Sequence, residues 1–107
     1  MLGQADRTSA DLNRRAAELR ERIARIEVER GEQASPDADE QAVEREPDEV
    51  LDSLETRLVA ELRETEDALE RLVIGTYGIC ATCGEPIDRD RLRALPTARR
   101  CMACEAE

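Results

Sequence analysis

The sequence contains no histidine, phenylalanine or tryptophan, and its only aromatic residue is Tyr77. Large rings normally supply much of a compact core. Their near absence from a chain of 107 residues argues against a globular α/β fold with a deep pocket. No nucleophile with a neighbouring base, no phosphate-binding loop and no open metal site can be identified either. We therefore expect a protein that is not an enzyme.

Long apolar segments are also missing. No apolar run approaches the roughly 20 residues that span a bilayer, and the N-terminal MLGQADRTSADLNRR lacks the apolar stretch of a secretory signal. We expect a cytoplasmic protein without a membrane partner, in which thiols stay reduced. The net charge of −10 repels phosphate backbones, so we do not expect the protein to bind DNA directly.

Charged residues are abundant, at 39% of the chain, and Leu, Ala, Glu and Arg recur throughout, as is typical of long helices or a coiled coil. A first helical arm is predicted from a cap at Thr8 or Ser9 to a stop at Gly31. Its apolar residues follow each other at spacings of four and three, the pattern of a coiled-coil seam: Leu12, Ala16, Leu19, Ile23 and Ile26. Acidic and arginine residues four apart would support its exposed face: Asp11/Arg15, Glu18/Arg22 and Glu21/Arg25.

A second arm is predicted from about Asp48 to Ile74, with Gly75 as its end and an earlier start near Ala42 as an alternative. Its seam is also spaced by three and four residues, with Thr65 in one place: Leu51, Leu54, Leu58, Leu62, Thr65, Leu69 and Leu72. We predict a mainly α fold in which residues 1–75 form an antiparallel helical hairpin, a coiled coil with an acidic tip loop at about 31–47. We expect a monomer, although leucine seams also permit pairing with a second chain.

All four cysteines lie in the last part of the chain, as the pairs Cys80/Cys83 and Cys101/Cys104 with 17 residues between them. Two CxxC pairs at this spacing indicate a zinc site. Four thiolates complete the tetrahedral shell of zinc and leave no place for a catalytic water. We therefore predict a four-cysteine zinc finger at residues 76–107 with one structural Zn²⁺.

The interior of this finger would be small. We expect Gly84 to provide the tight turn of the first knuckle, because glycine tolerates positive φ. The apolar filling is expected from five residues: Ile79, Ile87, Leu92, Leu95 and Pro96. A redox role for either CxxC would call for a thioredoxin-like βαβ context, which is absent. The arginines of the finger leave nucleic-acid binding open, but Tyr77 alone cannot form a stacking platform for single strands.

The segment YGICATCGEPIDRDRLRALPTARRCMAC resembles the zinc finger of the DksA/TraR family of bacterial transcription regulators. The shared features are the Gly and Tyr before the first cysteine, CxxCG, Ile87, the pair Arg91–Leu92, Ala94, Pro96-Thr97-Ala98 and the closing CxxC. A helical hairpin ahead of the finger is also the architecture of this family. The resemblance implies a partner, RNA polymerase, whose secondary channel would receive the hairpin.

The same resemblance implies functional residues at the tip. DksA-like members carry DxxDxA there, and SPDADEQA in this chain places Asp37, Glu40 and Ala42 at that spacing. The second acid is Glu in place of Asp, which keeps the charge and changes its reach. Several members respond to ppGpp through basic groups near the finger. Here the second arm carries Glu61, Glu64, Glu66 and Asp67, so we do not expect ppGpp binding.

The leading interpretation is a non-enzymatic regulator that binds RNA polymerase by inserting its coiled-coil tip into the secondary channel. One alternative is a zinc-stabilised coiled-coil adaptor that binds another protein or itself. Another alternative is a nucleic-acid-binding zinc finger.

Overall fold

The computed structural model describes residues 4–33 and 48–106 of the chain. These residues form four helices, in chain order α1 (Gln4–Gln33), α2 (Asp48–Ile74), α3 (Arg89–Ala94) and α4 (Met102–Glu105). Within the described residues, extended pairing is limited to one isolated antiparallel bridge between Ile79 and Pro86. The predicted mainly α fold, an antiparallel helical hairpin followed by a four-cysteine finger, is confirmed.

The ends of α1 differ from the prediction. The helix begins at Gln4, ahead of the predicted cap at Thr8 or Ser9, and it continues through Gly31 to Gln33. A glycine inside a helix costs roughly 1 kcal/mol relative to alanine, which a helix of 30 residues can absorb. Gly31 was therefore a poor guide to where this long helix ends.

The bounds of α2 match the predicted Asp48 and Ile74, whereas the alternative start near Ala42 lies outside the described residues. Asp48 and Glu49 lie in its first turn, where negative charge favours the positive end of a helix. At the other end Gly75 adopts φ of +87°. The backbone N–H groups of Gly75, Thr76 and Tyr77 all donate to the carbonyl of Arg71. This glycine-dependent cap ends the helix and turns the chain towards the cysteines.

The chain contains two compact units, and one of them comprises residues 17–62. Its core is formed by four buried residues and three partly buried ones: Leu19, Ile26, Leu51 and Leu58, with Ile23, Leu54 and Leu62 against them. All seven are seam positions predicted from the spacing. Burial of these aliphatic groups holds the two helical segments of this unit together.

The other unit combines residues up to 16 with residues 63–107. Leu12, Ala16 and Thr65 are buried there, as the seam predicts. Ala68 is buried as well, whereas Leu69 is only partly so. Because Ala68 is small, it puts less side-chain volume between the helices of the unit than a leucine would. The division of the chain into domains at residue 75 stays a prediction.

The exposed faces of the helices carry ion pairs. Arg25 and Glu21 pair as predicted, with Nη2 and Oε1 2.5 Å apart. The carboxylate of Asp11 pairs with Arg14, three residues on, at 2.9 Å. Among the described helices, none combines the length and apolar character that crossing a bilayer demands.

The buried seam should determine the stability of the residue 17–62 unit. Leu19 has no exposed surface, so Leu19→Ala removes buried methyl groups and leaves a cavity, at a cost of about 2–5 kcal/mol. The measurement is urea unfolding followed by circular dichroism. Val28→Ala on the same helix is the control, because Val28 is 62% exposed. Equal effects of the two changes would contradict a seam centred on Leu19.

Candidate metal centre

The first cysteine pair lies in a tight turn. Gly84 adopts φ of +76°, as the sequence predicts, and its N–H donates to the carbonyl of Cys80 at 2.9 Å. The N–H of Cys80 donates to the carbonyl of Glu85 at 2.8 Å, and the N–H of Cys83 approaches the sulfur of Cys80 at 3.4 Å. This turn points both sulfurs of the pair in one direction.

The second pair lies at the start of the short helix α4. Cys101 is its N-terminal cap residue, and the N–H of Glu105 donates to the carbonyl of Cys101 at 2.9 Å. One helical turn therefore separates Cys101 from Cys104. The two pairs are joined through the backbone, because the N–H of Ala81 donates to the carbonyl of Arg99 at 2.8 Å.

The four sulfur atoms of Cys80, Cys83, Cys101 and Cys104 all lie within 4.8 Å of one another. The sulfurs of Cys83 and Cys101 are 3.8 Å apart. A tetrahedral ion with Zn–S bonds of about 2.3 Å holds its ligands about 3.8 Å from each other. The donor set therefore fits zinc in both chemistry and spacing, and it supports one structural zinc ion.

The metal-free thiols have strongly separated pKa values. Hydrogen bonds from the backbone of Cys101 and Cys83 lower the pKa of Cys80 to about 6. Hydrogen bonding to the sulfurs of Cys101 and Cys80 raises the pKa of Cys104 to about 12. Cysteines bind zinc as thiolates, so binding must release the protons that these thiols retain. Metal affinity consequently falls as the pH falls.

The apolar filling of the finger is smaller than the sequence predicts. Ile87 is buried and Leu92 is half-buried, as expected, but Ile79, Leu95 and Pro96 are exposed. Ala98, which was not among the five residues predicted to fill the finger, is buried. With so few buried groups, we expect zinc coordination to be the main source of order in this segment.

Arg71 attaches the finger to the end of α2, a role that the sequence analysis missed. Its Nη1 donates to the carbonyl of Ala98 at 3.2 Å, and its Nη2 approaches the carbonyl of Thr97 at 3.3 Å. The whole residue Arg71 is only 8% exposed. Its position one turn before Gly75, where the chain leaves the helix, was the available signal.

One acidic residue and one aromatic residue lie beside Arg71. Its Nε lies 3.0 Å from Oδ2 of Asp67, which is also 3.4 Å from Nε of Arg99. The Asp67 and Arg71 atoms are misaligned for a hydrogen bond, so their attraction is ionic. The guanidinium lies 5.9 Å from the centre of the Tyr77 ring, whose hydroxyl donates to the carbonyl of Pro96 at 2.7 Å. Residues 96–98 are thus held from both sides.

The predicted tip residues Asp37, Glu40 and Ala42 lie outside the described residues. Their role stays a prediction.

We expect the purified, reduced protein to contain one zinc ion per chain and to lose it in acid. Cys104→Ser should abolish stoichiometric zinc and disorder residues 76–106, while most α-helical signal from α1 and α2 remains. Zinc content is measured by atomic emission and order by NMR amide dispersion. Thr82→Ser, a change at an exposed residue between two ligands, is the matched control. Retention of full zinc by Cys104→Ser would contradict the four-sulfur site.

Arg71 should contribute measurably to the stability of the finger. Arg71→Leu removes bonds to two carbonyls and leaves them unsatisfied, at a cost of about 1–3 kcal/mol. Tyr77, the only aromatic residue of the chain, reports this directly through its fluorescence during guanidinium unfolding. Arg63→Leu, at an exposed site on α2, is the control. An Arg71→Leu protein as stable as this control would show that the attachment has no energetic role.

Comparison with known proteins finds matching families along most of the chain. The family model for the prokaryotic dksA/traR C4-type zinc finger matches residues 75–107. The model for the N-terminal domain of DnaK suppressor protein-like sequences matches residues 9–72. An uncharacterized protein of Aquifex aeolicus is 48% identical over 60 residues, 56% of this chain and 41% of that protein. The chain thus spans less than half the length of this relative.

Two solved structures are similar over almost the entire chain. The transcription factor DksA2 of Pseudomonas aeruginosa is 33% identical with a TM-score of 0.79, over 96% of this chain and 81% of that one. The DnaK suppressor protein of Agrobacterium tumefaciens is 38% identical with a TM-score of 0.66, over 99% of this chain and 95% of that one. With its hairpin, its four-cysteine finger and these matches, the chain belongs to the DksA/TraR family.

Proposed function

We propose that this protein is a non-enzymatic transcription regulator that binds bacterial RNA polymerase by inserting its coiled-coil tip into the secondary channel. The observation that carries the proposal is the similarity to the transcription factor DksA2, which is 33% identical and extends over 96% of this chain. A match of this extent includes both the helices and the finger. The cytoplasm, where the polymerase works, is the proposed location.

The helices have the dimensions that this role requires. The 27 residues of α2 extend about 40 Å at roughly 1.5 Å per residue. A helical pair is narrow, so a few carboxylates at its connecting loop can enter a channel that a globular domain cannot. Asp37 and Glu40 would act there through charge on bound metal, incoming nucleotide or mobile elements of the polymerase. Such an effect requires no catalysis by the regulator.

The alternative of a nucleic-acid-binding finger receives little support from the arginines. The side chain of Arg91 donates to the carbonyl of Arg100 at 3.0 Å, and Arg99 lies 3.4 Å from Asp67. Arg93 lies 3.7 Å from Asp90. The carbonyl contact ties the side chain of Arg91 to the finger, and the two ion pairs offset part of the charge of Arg99 and Arg93. The net charge of −10 acts in the same direction.

The alternative of self-association through the seam is also less well supported. Leu19, Leu51 and Leu58 are buried by the chain itself. Pairing with a second copy along the same residues would first have to separate the two helical segments. A monomer is therefore the form we propose.

The test is capture of the protein by bacterial RNA polymerase in competition with another secondary-channel factor, followed by transcription in vitro. We expect Asp37→Asn to retain binding and to weaken the effect on initiation at least about fivefold. One carboxylate acting at short range contributes about 1 kcal/mol or more. Asp39→Asn, between the two proposed acids, is the matched control. Absence of competition, or loss of binding by Asp37→Asn, would count against the proposed tip function.

A further inference from the structure

Arg30 occupies a seam position of α1. The apolar seam of the residue 17–62 unit proceeds through Leu19, Ile23 and Ile26 at spacings of four and three. The next position in this pattern is residue 30, where an arginine replaces the expected aliphatic residue. Its side chain is 34% exposed, so it is largely covered in spite of its charge. A charged group at such a place calls for a specific partner.

The partners are two carboxylates on the opposite helical segment. Nη2 of Arg30 pairs with Oδ1 of Asp52, and Nη1 lies 3.0 Å from Oε1 of Glu55. Asp52 and Glu55 are three residues apart, which places them on neighbouring turns of one face of α2. Glu55 is itself only 25% exposed at its side chain. One guanidinium thus spans two acids and joins the two helical segments.

A polar group in a coiled-coil seam contributes more to register than to stability. The apolar positions of α2 are almost all leucine, so a shift by one seam position would place Leu54, Leu58 and Leu62 where Leu51, Leu54 and Leu58 now lie. If α2 shifts so that residues three positions further along face Arg30, the neighbours of Arg30 become Glu55 and Leu58. One acidic partner is then lost. The opposite shift keeps two acids, Glu49 and Asp52, but brings Asp48 into the place of buried Leu51. Arg30 and Leu51 together disfavour both alternatives.

We propose that Arg30 sets the register of the two helical arms at the end where residues 34–47 connect them, and is thereby a positioning residue for the tip. The part that concerns the tip rests on the function proposed above. The register itself does not, because it is a property of the isolated protein. The two parts can therefore be tested separately.

The first test is Arg30→Leu in the full-length, zinc-loaded protein. Leucine suits the seam, so we expect a Tm within about 5 °C of the unmodified protein. The NMR cross-peaks between the methyl groups of Ile26, Leu51 and Leu54 should nevertheless shift or double, because the register that presents Glu55 and Leu58 to residue 30 becomes comparable in energy to the original one. Arg25→Leu is the control, since Arg25 is 72% exposed and pairs with Glu21 on its own helix. A single, unchanged set of cross-peaks in Arg30→Leu would overturn the proposal.

The second test exchanges the charges. Arg30→Glu alone brings three acids together and should disturb the cross-peaks more than Arg30→Leu does. Combining it with Asp52→Arg and Glu55→Arg restores the opposite charges and should restore the single set. Failure of this rescue, with the triple variant folded and zinc-loaded, would show that the ion pairs do not define the register.

Transcription in vitro gives the readout for the tip. Arg30→Leu should bind RNA polymerase as the unmodified protein does and lose most of its effect on initiation, whereas Arg25→Leu should keep it. An unimpaired Arg30→Leu with altered cross-peaks would refute the positioning role and leave the register role standing. If the unmodified protein itself has no effect on the polymerase, the proposed function fails, and the NMR measurements alone decide the register.

Discussion

Four cysteine sulfurs within 4.8 Å of one another impose the constraint on which the C-terminal third of this protein depends. Thiolates at this distance repel each other unless a cation lies between them, and without the cation they must keep protons. Hydrogen bonding to the sulfurs of Cys101 and Cys80 raises the pKa of Cys104 to about 12, so this thiol keeps its proton, whereas backbone hydrogen bonds from Cys101 and Cys83 lower the pKa of Cys80 to about 6. Zinc binding relieves the repulsion by replacing the protons with one divalent charge.

The finger needs this ion because it buries little else. Ile87 and Ala98 are buried beside Cys80, whereas Ile79 and Leu95 remain 39% and 46% exposed. The attachment to α2 is correspondingly polar. Arg71 binds two backbone carbonyls of residues 97–98, and because the second cysteine pair follows them closely, we expect metal binding to hold these carbonyls in place. Attachment of the finger to α2 is thus expected to depend on metal coordination.

The sequence was sufficient for the features that rest on periodicity or on covalent chemistry. Every seam residue from Leu19 to Leu62 was predicted from spacings of three and four, since that spacing decides which side chains can be buried in a helical pair. The cysteine pairs and the positive φ of Gly75 and Gly84 likewise follow from residue types with few alternatives. Gly31 was different, because the cost of one glycine is small against a long helix.

Tertiary contacts of polar side chains were beyond this reasoning. Apart from its place one turn before Gly75, nothing in the sequence distinguishes Arg71 from Arg63 on the same helix, and the position of residues 97–98 relative to α2 is what makes Arg71 an anchor. The same holds for Ala98, which is buried by its surroundings and not by its size. The tip residues Asp37, Glu40 and Ala42 had only the family resemblance behind them, and they lie outside the residues described.

All 16 basic residues of the chain are arginine, and at two places the guanidinium group is required by the geometry. Arg30 presents two nitrogens to two carboxylates a helical turn apart, and Arg71 presents two nitrogens to successive carbonyls. A lysine carries all its donors on one nitrogen, so it cannot present two separate nitrogens to either pair of acceptors. In one unit the two nitrogens of Arg30 favour one register of the leucine seam. In the other unit the two nitrogens of Arg71 hold a metal-dependent segment against a helix. Directional bonds thus supply the specificity that an aliphatic seam and a small finger core cannot provide.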